Sequence, residues 1–396
     1  MSRAYSHIVI GAGALGTATA YWLAEHGAER VLVLEQFGMG HTRGASEDHS
    51  RIIRHAYHSP VYTALTQAMF DTWAQVEERT GLQLVLKTGG LDLAVAGSDG
   101  QQELENYKRS LAPAGIASED LTAAQIRSRW PQWSIGDDVV GLFQEDGGIL
   151  DIRRANAAHI ALATQLGVTF SYDTRVTELD SRPDGVTVRT DKGDFEADAV
   201  VLCTASWLPD MLPALGLDWR ITLSQEQVSY FATPNVRDFL PDRFPMWIWH
   251  GPTLFYGFPV YGETAVKLGR DLSGRFVTQE TRSFAPRADE VELLAAFLRE
   301  RLPGAVGPEL YSRTCCYDMP PDRDFILDRL PGHPRITVGN GAGHAAKFGS
   351  LLGTILADLS LEGRTDYPVE PFRADRPALT DPSFEPVFRL QGEPVR

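Results

Sequence analysis

The sequence is short of several things at once. Its 396 residues include only three cysteines, Cys203, Cys315 and Cys316. That is too few for a disulfide framework and points to a reducing compartment. No run of about eighteen apolar residues is available to cross a bilayer. The opening apolar run is short, broken by glycines and lacks a small-residue cleavage site, so it does not read as a signal peptide. A cytoplasmic location is expected. Basic surplus is missing as well: 37 Lys and Arg stand against 52 Asp and Glu, a net charge of −15. This argues against nucleic acid or an anionic membrane surface as partner, though not against basic spots inside a pocket. Internal repeats and low-complexity segments do not stand out. The rest is an ordinary globular composition, 43% apolar and 22% charged, in a chain long enough for two domains.

The informative part begins near the N-terminus. His7-Ile8-Val9-Ile10 reads as a strand and Gly11-Ala12-Gly13-Ala14-Leu15-Gly16 as a tight glycine turn. Ala18 to His26 reads as a helix, and Val31-Leu32-Val33-Leu34 as a second strand ending in Glu35. Such a βαβ unit suits an adenine dinucleotide. Gly11 permits the sharp turn, Gly13 lets a pyrophosphate approach the backbone, and Gly16 lets helix and strand pack closely. Free N–H groups at the helix start face the phosphates. Glu35, twenty-four residues after Gly11, can accept hydrogen bonds from a ribose diol and disfavours a 2′-phosphate, hence NADP. A bare GxGxxG is a weak signal, and a glycine-rich turn in an ordinary α/β domain is the plain alternative. The register of strand, helix, strand and acid favours the dinucleotide; FAD and NAD both stay open at this point.

Further along, helical periodicity over Val61 to Thr80 puts Leu65, Met69, Trp73 and Val76 on one face. A short alternating run covers Leu91 to Val95. Arg154 to Leu166 reads as an amphipathic helix and Val168 to Tyr172 as extended. Val186 to Val188 and Phe195 to Ala197 flank a turn at Asp191 to Asp194, a hairpin. Ala199 to Cys203 is a continuous apolar strand of the kind buried in a parallel sheet. From about Ile221 to Leu268, longer alternating strands rich in aromatics point to a separate, larger antiparallel sheet. Arg335 to Val338 reads as a strand, followed by Gly339-Asn340-Gly341-Ala342-Gly343 and a helix from about Ala345 to Leu361. A nicotinamide enzyme has little need of this second strand–glycine–helix unit. A larger, two-lobed cofactor such as FAD uses it for its flavin end.

Several separated segments then converge. They are Ser50-Arg51-Ile52-Ile53-Arg54-His55-Ala56-Tyr57, Phe255-Tyr256-Gly257-Phe258-Pro259 leading to Lys267-Leu268-Gly269, and Cys315-Cys316-Tyr317 with Asp322 to Asp328. The last is Gly341-Ala342-Gly343-His344-Ala345-Ala346-Lys347-Phe348. On these the chain resembles the monomeric sarcosine oxidase and N-methyltryptophan oxidase family, within the wider glycine- and D-amino-acid-oxidase fold, over nearly its whole length. The resemblance implies an α/β fold with an α+β second part. A Rossmann-like FAD-binding domain would comprise 1–87, 147–219 and 323–390. An interleaved substrate domain, 88–146 and 220–322, would be built on a large antiparallel or mixed sheet.

Residue by residue, the resemblance implies a site. Cys315, ten residues before Phe325, matches the family cysteine joined through sulfur to the flavin 8α-methyl. A thiolate is a suitable nucleophile towards that carbon. Buried core thiols or a vicinal Cys315–Cys316 disulfide are the plain readings of the pair, and Cys203 reads as core. Arg54 and Lys347 match the residues that hold the substrate carboxylate. Lys347 would sit in a helix first turn, a poor place for a cation unless an anion is near. Arg51 matches a residue beside the flavin. Lys267 matches the oxygen-activating lysine, whose charge would stabilise superoxide; otherwise it is the outward face of an edge strand. Tyr256 and Tyr317 match pocket tyrosines. The implied cofactor contacts are Gly11, Ala12, Gly13, Ala14, Leu15, Gly16, Glu35, Ser50, Arg51, Val176, Cys315, Gly341, Gly343, His344 and Lys347.

Two departures stand out. Asp271 replaces the family histidine four residues after the lysine, and it either pairs with a cationic amine or turns out of the pocket. The family's His-His-Gly before the first arginine motif is absent, with Ser46-Glu47-Asp48-His49 in its place. His344 and His55 are retained. Pocket volume is expected to be set by residues such as Met246, Trp247, Trp249 and Tyr261. The implied activity is oxidation of an N-methyl or cyclic amino acid to an imine, with oxygen as acceptor and hydrogen peroxide released, by a monomer. Rival readings are a related dehydrogenase with another electron acceptor and a non-catalytic flavin-binding protein.

Overall fold

The computed structural model describes residues 4–388, so 389 and 390 of the expected cofactor domain lie outside the described residues. Three sheets organise them. The eight-stranded first sheet is centred on Tyr5–Ile10, which runs parallel to Val31–Leu34 on one side and Gly193–Leu202 on the other. Gly193–Leu202 in turn pairs in parallel with His333–Asn340. Ile10, Leu34 and Leu202 are in register. The first glycine turn therefore opens at the carboxyl ends of three parallel strands, where open α/β sheets bind their ligands. The hairpin forms as expected, with Val188 opposite Phe195.

Helices cover one face of this sheet. Ala14–Glu25 lies between Ile152–Gln165 and Gly349–Glu362. It approaches the latter so closely that a Cβ on Gly353 would stand 2.6 Å from the Ala18 Cβ. Pro60–Thr80 buries Leu65, Met69, Trp73 and Val76, the face that its periodicity marks. The C-terminal helix needs a correction. Ala345–Phe348 is a 3-10 turn and the α-helix starts at Gly349, so Lys347 precedes that helix instead of occupying its first turn.

The second sheet has nine strands and is mixed: Met246–His250 pairs in parallel with Gly90–Val95, while its other neighbours are antiparallel. Its two faces have opposite characters because strand side chains alternate. One face carries Leu91, Leu93, Trp247, Trp249, Phe255, Val266 and Leu268 into a core closed by Leu294, Phe297 and Leu298 of the helix Ala288–Arg301. Trp247 and Trp249 thus belong to this core, stacked and edge-on against Phe297, and do not line the pocket as expected. The opposite face carries the polar residues described below. A three-stranded sheet, Arg51–Ile53, Gly148–Leu150 and Val85–Lys87, completes the strands. Among the described residues no helix is long and apolar enough to cross a membrane.

Candidate active site

The first glycine turn is shaped by close approach. Gly11 has φ +100°, and a Cβ on Gly16 would stand 1.8 Å from the Gly11 carbonyl oxygen, so neither position tolerates a side chain. Glu35 accepts from the Ala12 N–H at 2.9 Å and the Phe37 N–H at 3.0 Å. Burial opposes its charge, but these bonds and His41 hold its carboxyl below the ordinary range. Ser46 accepts from the Ala14 N–H at 2.9 Å and so ties the loop before Arg51 to the helix start.

Gly11, Ala12, Gly13, Glu35 and Val176 line a cavity of about 420 Å³; Ala14, Leu15 and Gly16 build the turn and helix start beside it. Four buried polar atoms of residues on its wall have no partner within the protein: Arg153 Nε, Asn156 Oδ1, the Tyr172 hydroxyl and Thr204 Oγ1. Buried polar groups require partners. Together with the glycine turn and the acid Glu35 on the same wall, these atoms fit the ADP half of FAD.

The second cluster stands on the polar face of the nine-stranded sheet. Lys267 lies opposite both Tyr230 and Phe258, Tyr256 opposite Ile248, and Ile248 opposite Asp92. On the far side Cys315 lies opposite Glu226 and Tyr317 opposite Ser224. Residues opposite each other share a face, so Asp92, Tyr256, Lys267, Glu226, Cys315 and Tyr317 all stand on one surface. The edge-strand alternative for Lys267 falls away: its strand is paired on both sides and the residue is 2% exposed.

Lys267 Nζ donates to Asp48 Oδ2 at 2.6 Å, the Ser50 carbonyl at 2.7 Å and Ser50 Oγ at 3.2 Å. Arg51 donates to the same Asp48 oxygen at 2.7 Å. Burial pushes Lys267 down to about 8, with Asp48 opposing and Arg51 adding to the fall. All three cysteines are free, which removes the disulfide alternative. Cys203 is buried core, and burial pushes the Cys315 thiol up to about 12, with Arg51 opposing. Burial likewise raises Tyr256 and Tyr317.

Arg54 and Lys347 converge on one ring. The Arg54 guanidinium carbon lies 5.8 Å from the centre of Tyr57 and Lys347 Nζ 5.4 Å from it. Lys347 Nζ donates to the Tyr57 hydroxyl at 2.9 Å and the His344 carbonyl at 3.1 Å, and its own carbonyl accepts from the Trp73 indole. Burial, then repulsion from Arg54, brings Lys347 down to about 7. Arg54 itself pairs with Asp92 at 2.6 Å. Asp271 is bound by both ends of the Arg323 guanidinium, at 2.7 and 2.9 Å, so its carboxylate is already engaged.

The second glycine unit packs against this surface. A Cβ on Gly343 (φ +80°) would stand 2.4 Å from Tyr317 Cγ. Asp318 holds the turn by accepting from Asn340 Nδ2 at 2.8 Å and the Gly343 N–H at 3.1 Å, and Gly341 accepts from the His344 N–H. His344 bonds the Arg323 carbonyl and stacks on Phe325, whereas His55 bonds Thr66 away from the cluster. Tyr261 bonds Asp151 and Met246 packs with Ile149 and Phe258.

Four residues of the cluster were given no role by the sequence reading: Asp48 and Arg323, which stand inside quoted segments, and Asp92 and Glu226, which were not singled out. Asp92 did leave a trace, a lone acid alternating with Leu91 and Leu93. Glu226, in Ser224 to Ser229, left none, because polar residues there fall on both faces.

The sequence profile of the family described as FAD dependent oxidoreductase matches residues 6–359. A monomeric sarcosine oxidase of Streptomyces avermitilis is 34% identical over 384 residues, 93% of this chain and 97% of that protein. An N-methyl-L-tryptophan oxidase of Escherichia coli is 31% identical over 379 residues, 94% and 99% of the two chains. Among solved structures, NikD, described as an unusual amino acid oxidase essential for nikkomycin biosynthesis, superposes in its open form with a TM-score of 0.82 at 28% identity. That match covers 94% of this chain and 98% of the other.

Proposed function

Because the chain belongs to the FAD dependent oxidoreductase family, we propose that it is an amine oxidase. It would oxidise a secondary amino acid, N-methyl or cyclic, to an imine and pass the electrons to oxygen, releasing hydrogen peroxide. The observation that carries the reading is the convergence of Arg54 and Lys347 on Tyr57 beside a sheet face that presents Lys267, Cys315, Tyr256 and Tyr317. The names of the sarcosine and N-methyltryptophan oxidase relatives support the substrate class.

In this reading the strands around Tyr5–Ile10 form a cofactor domain and the nine-stranded sheet a substrate domain. Gly11 to Gly16, Glu35 and Val176 hold the ADP half of FAD. Ser50, Arg51, Gly341, Gly343 and His344 would border the flavin half, and Cys315 would supply the sulfur that holds the flavin covalently. FAD, when bound, supplies the two-electron chemistry. The chain supplies position and charge. Lys347 and Arg54 take the substrate carboxylate. Asp92 offsets part of the charge of Arg54, and the Lys347 ammonium adds to the attraction while it stays protonated. Tyr256 and Tyr317 bound the amine, and the charged Lys267 supplies a positive field where oxygen takes up electrons. Asp271, engaged by Arg323, shapes the pocket wall in place of binding the amine directly.

Three free cysteines fit a reducing, cytoplasmic setting, and the family resemblance favours a monomer. Peroxide release from a panel of N-methyl and cyclic amino acids tests the activity; silence across the panel, with flavin bound, would overturn it. Acid precipitation tests the covalent bond. A yellow pellet supports the Cys315 linkage and a colourless one removes it.

A further inference from the structure

Asp48, itself buried, gathers four donors. Oδ2 accepts from Lys267 Nζ at 2.6 Å and from Arg51 at 2.7 Å. Oδ1 accepts from the His49 N–H at 2.8 Å and from the Tyr230 hydroxyl. Asp48 and Lys267 are each 2% exposed. One carboxylate oxygen therefore bridges two cations that would otherwise repel each other where the medium screens poorly.

The surroundings of the ammonium are well defined. The segment ahead of Arg51–Ile53 brings Asp48 and the Ser50 carbonyl, and Arg51 follows on that strand. Thr222–Ala232 brings Tyr230, Glu309–Met319 brings Cys315, and Leu254–Phe258 brings the Phe258 ring, whose centre is 4.7 Å from Nζ. Asp48 is the anion that bonds the ammonium; Glu226, opposite Cys315 on the same sheet face, carries a carboxyl that burial raises to about 7, and burial raises the Tyr256 hydroxyl as well. Cys315, pushed up to about 12 as a thiol, is neutral near pH 8, and a thioether would be neutral at any pH.

We infer that Asp48 is the positioning residue for the oxygen half of the reaction, seating the Lys267 ammonium against the Ser50 carbonyl and keeping it charged. The inference rests on the assignment of oxygen activation to Lys267. Burial and Arg51 both drive Lys267 toward its neutral form, and Asp48 opposes them. With the carboxylate in place the lysine stays charged at neutral pH and loses its charge as pH rises through about 8. Without it, the charge disappears at lower pH.

The test uses the holoenzyme and Asp48→Asn, which keeps the size and removes the charge. Two quantities are followed from about pH 4 to about pH 10, so that a transition shifted down by several units still falls within the range. One is the rate at which oxygen reoxidises the reduced flavin. The other is the visible spectrum of the resting, oxidised flavin, which senses a nearby charge without turnover. In the parent both change near pH 8. In Asp48→Asn both transitions move down by about one unit or more. In a Lys267→Arg background, where the cation does not titrate, the transition near pH 8 is absent and Asp48→Asn brings none in at lower pH. Asp48→Ser, which leaves room for water, should behave like Asp48→Asn and serves if that variant fails to fold. Unshifted transitions in the Asp48 variants overturn the inference while leaving Lys267 in its role. If Lys267→Met leaves both reoxidation and the spectral transition at parent values, the Lys267 assignment fails and this inference with it.

Discussion

Arg54 and Asp92 form a 2.6 Å ion pair with side chains only 11% and 2% exposed, and Asp92 Oδ1 is also hydrogen-bonded to His250 Nε2 at 2.8 Å. Arg54 follows the strand Arg51–Ile53, whereas Asp92 and His250 come from neighbouring strands of the nine-stranded sheet. The pair therefore fastens Arg54, the arginine proposed to take the substrate carboxylate, to the sheet. Removing one partner of a buried pair strands the other charge. Asp92→Asn is expected to lose about 3 kcal/mol of unfolding free energy, read by urea denaturation. Asp271→Asn should cost less, because its pair with Arg323 is 22% and 23% exposed; the reverse order would refute this account.

Glu226 makes a separate prediction about pH. Burial raises its carboxyl from an ordinary 4.5 to about 7, although Ser224 and Ser273 donate to it. A carboxyl raised in the folded state binds more protons folded than unfolded between those values, so its contribution to stability is full below pH 4.5 and is lost as pH rises through 7. Glu226→Gln should thus be more stable than the parent at pH 8, by about 2 kcal/mol, with the advantage fading towards pH 4. Thermal unfolding across that range checks the sign.

Substrate affinity should follow Lys347. Burial and the neighbouring Arg54 lower it to about 7, so the free enzyme loses this cation as pH rises through that value. KM for the amino acid should climb by up to about tenfold per unit above it, as for any ligand whose binding requires one proton. Lys347→Met should raise KM by about 10- to 100-fold at neutral pH and flatten the dependence. An unchanged slope in that variant would assign the titration to another group.

Cofactor retention should depend on Gly16. A methyl there meets the Gly11 carbonyl at 1.8 Å and pushes the turn out of shape. Gly16→Ala is expected to purify with much less flavin per mole of protein than the parent, measured by visible absorbance. A normal flavin content would mean that the turn adapts.

Much of the scaffold was legible because its signals are local. A strand and a helix bound the glycine turn, the helix starting at Ala14 instead of Ala18, the 61–80 periodicity emerged as a buried face, and the hairpin around residue 192 formed in register. The start of the C-terminal helix was misjudged because a 3-10 turn and an α-helix share similar short-range preferences. Trp247 and Trp249 were misplaced because alternation says which residues share a face, not which face meets the core.

The sequence alone determined the dinucleotide turn, the residues able to carry charge or a thiol, and their alternation along strands, since backbone sterics and side-chain periodicity act over a few residues. The tertiary structure decided which charges meet. Ser50 and Lys267 are 217 residues apart in the chain, yet their segments touch and bring Asp48 to the lysine. The same packing gives Arg54 to Asp92 and Arg323 to Asp271. Burial makes the first of these pairings decisive, because in a poorly screened interior buried ions such as Asp48 and Lys267 take their pKa and position from the partner that the fold supplies.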